Sequence, residues 1–522
     1  MKKLPLGIQT FEEIRSKDYV YVDKTEIIYR LVSEGKIYFL SRPRRFGKSL
    51  LISTLDALFS GRKDLFEGLY IYDRWDWSRR HPVLRIDWTL ISFSTPDEME
   101  TNLTGYLKRI AQTCQITLTA SAASGCFDEL IMLLHDKTGR KVVLLIDEYD
   151  KPVTSRLFKP DLQDVRRAVH DFYQVIKGAD QYLEFIFITG VSKFSGLSVF
   201  SALNNLTDIT LDRRYAAICG YTQEELEGNF PEYVDGAAEY QGKTREWILD
   251  RIRYWYNGYT WDGQTAVYNP FSTMHFFRVK LFSAYWFHTG TPTFLMDIIC
   301  RRNNPEIVTE GVTVDDSVFQ GYEPSNIGEI PVLFQTGYLT IKAMHLDDEG
   351  EPSYTLDIPN MEITRAFMRH LLLAYGKYPD EQHVDNLRKT MERQIKACDE
   401  AGLARSLEAM TGAVPYEIGK TDEAWYHSIL MIWMRMLGFK VYGEAPNNRG
   451  RADLVWEQPG LTVVAEIKYD PQKPLPTLLH AAMKQIHERR YYNRYLGKVI
   501  LLGIAFSGKN TGCKMELRND EN

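Results

Sequence analysis

Ser41-Arg-Pro-Arg-Arg-Phe-Gly-Lys-Ser49 decides the fold class of the N-terminal half. It follows an apolar run, Ile37–Ser41, that reads as a strand, and it opens a helical stretch from about Lys48. A strand that turns into a helix N-terminus offers backbone N–H groups and the positive end of the helix dipole to phosphate oxygens. In that reading Gly47 permits the turn, Lys48 reaches the β- and γ-phosphates, and Ser49 ligates Mg²⁺. Arg42 stands where such loops usually carry their first glycine. Arg44 and Arg45 add positive charge near the phosphates.

Two further strands support this reading. Lys141-Val-Val-Leu-Leu-Ile-Asp-Glu148 is an apolar run ending in two carboxylates. Asp147 is placed to hold Mg²⁺ through water, and Glu148 to orient or deprotonate the attacking water. A solvated strand-end turn is the plain alternative for a lone Asp-Glu, and the phosphate loop upstream weighs against it. Glu184-Phe-Ile-Phe-Ile-Thr-Gly190 ends in a polar residue, so Thr189, followed by Ser192 or Lys193, is the candidate sensor of the γ-phosphate. A threonine that only caps a strand remains open beside it. Arg213 and Arg214 are candidate phosphate-sensing arginines that sequence does not separate from surface charge.

The stretches YVYVDKT, FLSRPRRFGKSLL, LLIDEYDKP, ITGVSKFSGLSVFSALNNLTDITLD and CGYTQEEL resemble the AAA-ATPase-like family of bacterial proteins. The resemblance covers about the first half of the chain. It implies a P-loop ATPase fold of the additional-strand class, with ATP as the ligand. It also implies an expectation of self-association, since ATPases of this type often complete their site with a neighbouring copy.

At the other end, Gly450-Arg-Ala-Asp453 begins one candidate strand, and Glu466-Ile-Lys468 ends the next. The period-two alternation of a strand puts Glu466 and Lys468 on one face. If the strands pair, Asp453 meets Glu466 around one cation, and two carboxylates suit Mg²⁺ or Mn²⁺. Lys468 would orient a water or stabilise charge on phosphorus. Glu423 on the preceding helix and Gln485 on the following one are candidates to complete the site. The order EAWYHSILMIWMRMLGF, GRADLVW, VVAEIK, AAMKQI resembles the PD-(D/E)XK nuclease superfamily over roughly the last hundred residues. Ala452 stands where that motif has proline. An ExK alone is a weak signal, because charges alternate on many exposed strands. Lys484, Arg489, Arg490 and Arg494, with Tyr491, Tyr492 and Tyr495, are a candidate nucleic-acid surface. For each tyrosine, packing on the sheet is the plainer expectation.

The expected architecture is α/β: a P-loop parallel sheet, a helical middle, and a restriction-endonuclease-like α/β domain. Expected boundaries are 1–222, 223–379, a charged helical linker at 380–411, 412–510, and a frayed polar tail at 511–522. Phe334–Met344 and Ser353–Ile358 flank a polar turn and read as a hairpin, in a winged-helix unit or a plain connection. The aromatic stretch Tyr254–Asp262 and Tyr268–Phe271 reads as a packed core around a glycine turn.

The net charge of −6 rules out a wholesale basic coat, so nucleic-acid contact, with DNA expected over RNA, must come from a local patch. The scattered cysteines fit reduced thiols. Neither a signal peptide nor a membrane-spanning run is recognisable, so no membrane partner is expected and cytoplasm is the default location. Two functional readings remain open: an ATP-controlled, metal-dependent nuclease, or an ATP-dependent switch with a catalytically silent nuclease fold.

Overall fold

The computed structural model describes residues 1–194, 205–286, 311–321, 328–375, 380–412, 423–447, 450–458, 460–508 and 510–519. Within those ranges the side chains at 374–375, 412, 423–425, 443–447, 450–453, 491 and 519 lie outside the description. The chain divides into two compact units: 1–290 with 313–359, and 291–312 with 360–522.

In the first unit, β1 (Ile37–Ser41), β2 (Val83–Asp87), β3 (Val142–Asp147), β4 (Leu183–Gly190) and β5 (Thr207–Asp208) form a sheet of order β2-β3-β4-β1-β5. All its pairings are parallel. Every residue of β1 and β3 is buried, as expected of parallel strands covered on both faces. That double burial is why these strands read as unbroken apolar runs. β4 separates the phosphate-loop strand from the strand ending in Asp147, which is the additional-strand order expected from sequence.

The rest of this unit packs around aromatics. Helices Arg245–Tyr256 and Pro270–Val279 flank a loop closed by bridges Tyr259–Val267 and Tyr221–Tyr268. The expected hairpin is present as β7 (Thr340–Leu346) and β8 (Pro352–Asp357), and β6 (Val312–Asp315) makes a three-stranded sheet. Its first strand starts later than sequence suggested, because Phe334 belongs to the helix Glu329–Gln335.

In the second unit, β9 (Lys440–Asn447), β10 (Gly450–Gln458), β11 (Leu461–Tyr469), β12 (Lys498–Ser507) and β13 (Asn510–Asn519) form a mixed sheet of order β13-β12-β11-β10-β9. Only β11 and β12 are parallel; helix Leu475–Arg489 makes that crossover and packs on both.

Two expectations are corrected here. The tail is not frayed over its described part: residues 510–519 pair with β12 along their whole length, and 520–522 lie outside the described residues. Cys513 and Met515 are buried between exposed Lys514 and Glu516, a period-two pattern that anchors the strand. Nor is the charged helical stretch only a linker. Its second helix, Glu400–Gly412, lies against β13, where Met515 N donates to Glu400 Oε1 at 2.8 Å and Cys513 Sγ to Glu400 O at 3.2 Å. Among the described residues no helix is long and apolar enough to cross a membrane, and Cys114, Cys126, Cys219, Cys398 and Cys513 carry free thiols.

Candidate functional site

The phosphate loop leaves the C-terminal end of β1, where ligands of open parallel sheets bind. Gly47 caps the helix Lys48–Phe59 in a left-handed conformation, φ 97°, that glycine adopts without a Cβ penalty. Lys48 is buried, and its Nζ donates to the carbonyls of Arg42 (3.0 Å) and Pro43 (3.1 Å). The same Nζ lies 3.7 Å from the Glu148 carboxylate. Glu148 is itself left-handed at φ 52°, a strain of about 1 kcal/mol for a non-glycine residue. Lys48, Ser49, Asp147 and Glu148 thus come together around one cavity.

These residues open onto a cavity of about 470 Å³, within the range of small-molecule sites. Its polar lining includes Arg44, Arg45, Lys48, Ser49, Asp87, Asp147, Glu148 and Lys151. Its apolar lining includes Ile8, Val20, Val22 and Ile28 of the N-terminal segment, with Phe271 and Met274. Lys24 ties that segment down through a half-buried ion pair with Glu225 at 2.5 Å. Burial still pulls the Lys24 ammonium below its ordinary value, against the nearby Glu225 charge. Of this N-terminal wall the sequence marked YVYVDKT, Tyr19–Thr25, only as a family resemblance, and its place at the cavity was not foreseen.

Asp147 is 1% exposed, and burial raises its carboxyl above the ordinary range, against the Ser49 hydrogen bond and the Lys48 charge. Its Oδ1 has no hydrogen-bond partner among the described residues. A buried, unsatisfied carboxylate oxygen beside a hydroxyl is a hard-oxygen set that fits Mg²⁺.

Other candidates fall elsewhere. Thr189 is fully buried, and its hydroxyl donates to Leu40 O at 2.9 Å, so it ties β4 to β1 and does not line the cavity. Ser192 N donates to Asp150 (2.7 Å), and Lys193 pairs with Asp208 (2.7 Å). Arg214 pairs with Asp212 and Glu34 at the surface, and neither it nor Arg213 lines the cavity. Residues 195–204, within the stretch ITGVSKFSGLSVFSALNNLTDITLD, lie outside the described residues.

In the second unit, Glu466 is fully buried near the end of the central strand β11, and Lys468 Nζ donates to its Oε1 at 2.8 Å. The expected shared face is therefore observed. A carboxylate this deeply buried requires a cationic partner. In the antiparallel ladder Leu454 pairs with Ala465, the chain neighbours of Asp453 and Glu466. The side chains of Asp453 and Glu423 lie outside the described residues. Gln485 is half-buried on the helix that packs on β11 and β12.

Tyr492 and Tyr495 pack against the apolar cluster of Val455, Val464, Ile486 and Leu501, the plainer of their two expected roles. Arg518 lies 4.3 Å over the ring of Tyr492, and Arg494 lies 4.8 Å over Tyr495. Lys484, Arg489 and Arg490 are exposed.

Strand order, phosphate loop and paired acids define the first unit as a P-loop nucleotide-binding domain of the additional-strand class. Residues 5–200 match the family described as "Predicted AAA-ATPase", and residues 421–516 match the PD-(D/E)XK nuclease superfamily. The chain is also 38% identical over 516 residues to a protein of Azotobacter chroococcum mcd 1 named "Uncharacterized protein in vnfD 5'region", spanning 97% of this chain and 96% of that one. The chain belongs to this family of AAA-ATPase-like proteins with a C-terminal PD-(D/E)XK nuclease superfamily domain. No solved structure matches it.

Proposed function

We propose that the chain is an ATP-binding, divalent-metal-dependent nuclease whose cleavage of phosphodiester bonds, in DNA rather than RNA, is governed by its nucleotide site. The observation that carries this reading is the buried Glu466 held by Lys468 on β11, with the Asp453 position one step past the Leu454–Ala465 pair. Such a carboxylate pair suits Mg²⁺ or Mn²⁺, which would supply positive charge for the phosphodiester oxygens. Lys468 would pass from Glu466 to the attacking water or the charged phosphoryl oxygen. Glu423 and Gln485 are proposed to complete the site.

In the first unit, Lys48 would exchange the carbonyls of Arg42 and Pro43 for nucleotide phosphates, while Ser49 and Asp147 hold Mg²⁺. Glu148, close to Lys48, would orient the attacking water once Lys48 has turned to the phosphates. The apolar lining of the cavity would take the base.

Cleavage of single- and double-stranded DNA and RNA with Mg²⁺ or Mn²⁺, with and without ATP, tests this beside Asp453→Ala and Lys468→Ala. Cleavage lost in both variants is the expected result. ATP binding without any cleavage by the wild-type protein would favour an ATP-dependent switch with a silent nuclease fold.

A further inference from the structure

Asp87 is absent from the sequence-level site, yet it ends β2 in register with Asp147 of β3. Adjacent strands lie about 4.8 Å apart, and residues in register on parallel strands occupy one level of the sheet. Both carboxylates line the cavity with Ser49, Glu148 and Lys151. Neither Asp87 nor Asp147 forms an ion pair among the described residues.

The Asp87 carboxylate is also held in place. Its Oδ1 accepts from Thr89 N at 2.9 Å and Thr89 Oγ1 at 2.6 Å, capping the short turn Trp88–Leu90. Its backbone N donates to Tyr106 Oη at 3.3 Å. No hydrogen bond to Oδ2 occurs among the described residues. An independent observation points to a cation here: Asp147, 1% exposed and lining the same cavity, keeps a buried Oδ1 with no partner among the described residues.

We propose that Asp87 is a further positioning carboxylate of the nucleotide site, accepting hydrogen bonds from the water shell of the divalent cation on the side away from the phosphate loop. The proposal rests on the Mg²⁺–nucleotide reading above. A second carboxylate in register with Asp147 fixes the cation's waters from two strands at once. Outer partners of this kind change metal affinity by about 10- to 100-fold.

Asp87→Asn separates this role from the cap, because asparagine caps as well as aspartate but lacks the charge. The full-length protein is titrated with Mn²⁺ in the presence of a non-hydrolysable ATP analogue, and free Mn²⁺ is read by electron paramagnetic resonance. Nucleotide affinity in EDTA and the melting temperature are measured alongside. The expected result for Asp87→Asn is Mn²⁺ affinity in the ternary complex weakened about tenfold or more, with nucleotide affinity in EDTA and melting temperature unchanged. Asp87→Glu recovers part of the loss. Unchanged Mn²⁺ affinity in Asp87→Asn overturns the proposal alone, as does a fall in melting temperature that accounts for the loss. A wild-type protein that binds no nucleotide overturns the nucleotide reading and this proposal with it.

Discussion

The guanidinium of Arg42 lies 3.9 Å over the ring of Trp261. Arg42 is fully buried; its Nη1 donates to Ser41 O and Thr210 O, each at 2.9 Å, and its Nη2 to Tyr215 O at 3.4 Å. Burial lowers the guanidinium to about 10, so it remains charged at neutral pH. The residue in the first-glycine position thus serves the loop from behind, bracing it on the aromatic module and leaving phosphate contact to Lys48 and the backbone. Arg42→Ala removes the donors to the buried Tyr215 carbonyl and the half-buried Thr210 carbonyl and the stacking on Trp261, and is expected to destabilise the first unit by about 3 kcal/mol. Arg42→Lys is expected to lose most of the same stability, because an ammonium cannot span the two carbonyls or stack. Urea unfolding of the three proteins checks this; coincident midpoints would contradict it.

Gly337 touches the same loop from another side. At φ 88° its added Cβ would come 2.8 Å from Pro43 Cγ. Gly337→Ala therefore combines left-handed strain with a clash against the phosphate loop, an expected cost of about 1–3 kcal/mol. The fall in melting temperature should come with weaker nucleotide binding. A variant as stable as the wild type would show that Pro43 yields freely.

Lys48→Ala is expected to weaken binding of a fluorescent ATP analogue by about 100-fold, roughly 3 kcal/mol, with little change in circular dichroism. Retained affinity would place the phosphates elsewhere.

Asp150 predicts a pH dependence. Its carboxylate accepts from Ser192 N (2.7 Å) and Val191 N (3.3 Å), joining the end of β3 to the loop after β4. Burial first, then the Glu148 charge, lifts its carboxyl from 3.8 to about 6. Between those values the folded chain binds more protons than the unfolded chain. The contribution of Asp150 to stability therefore falls as pH rises from about 4 to 6, and the full cost is present above that. Asp150→Asn removes this component of the slope. Thermal melts of both proteins from pH 4.5 to 7 check it, and parallel curves would contradict it.

Much of the fold was legible because burial writes itself into composition. β1 and β3 are buried on both faces and read as unbroken apolar runs with the bounds observed. The Glu466–Lys468 relationship follows from the two-residue period of a strand. What stayed hidden depends on tertiary approach. Arg42 reads only as a departure from the usual first glycine until Trp261, far along the chain, is seen against it. The N-terminal wall of the cavity is assembled from single residues, held by Lys24 on Glu225. β13 carried its signal in Cys513 and Met515, but the polar residues between them masked an edge strand. The hydroxyl of Thr189 matched a sensor by position, and only the partner on β1 shows that it is spent on Leu40.

The most direct test of the nuclease claim is the rate of Mg²⁺- or Mn²⁺-dependent nucleic-acid cleavage by the full-length wild-type protein against Glu466→Gln, which keeps the shape of the buried side chain and removes its charge. The account predicts cleavage by the wild type and a loss of about 100-fold or more in the variant, equivalent to roughly 3 kcal/mol of transition-state stabilisation. Equal rates in the two proteins, or no cleavage by the wild type with either metal, would contradict it.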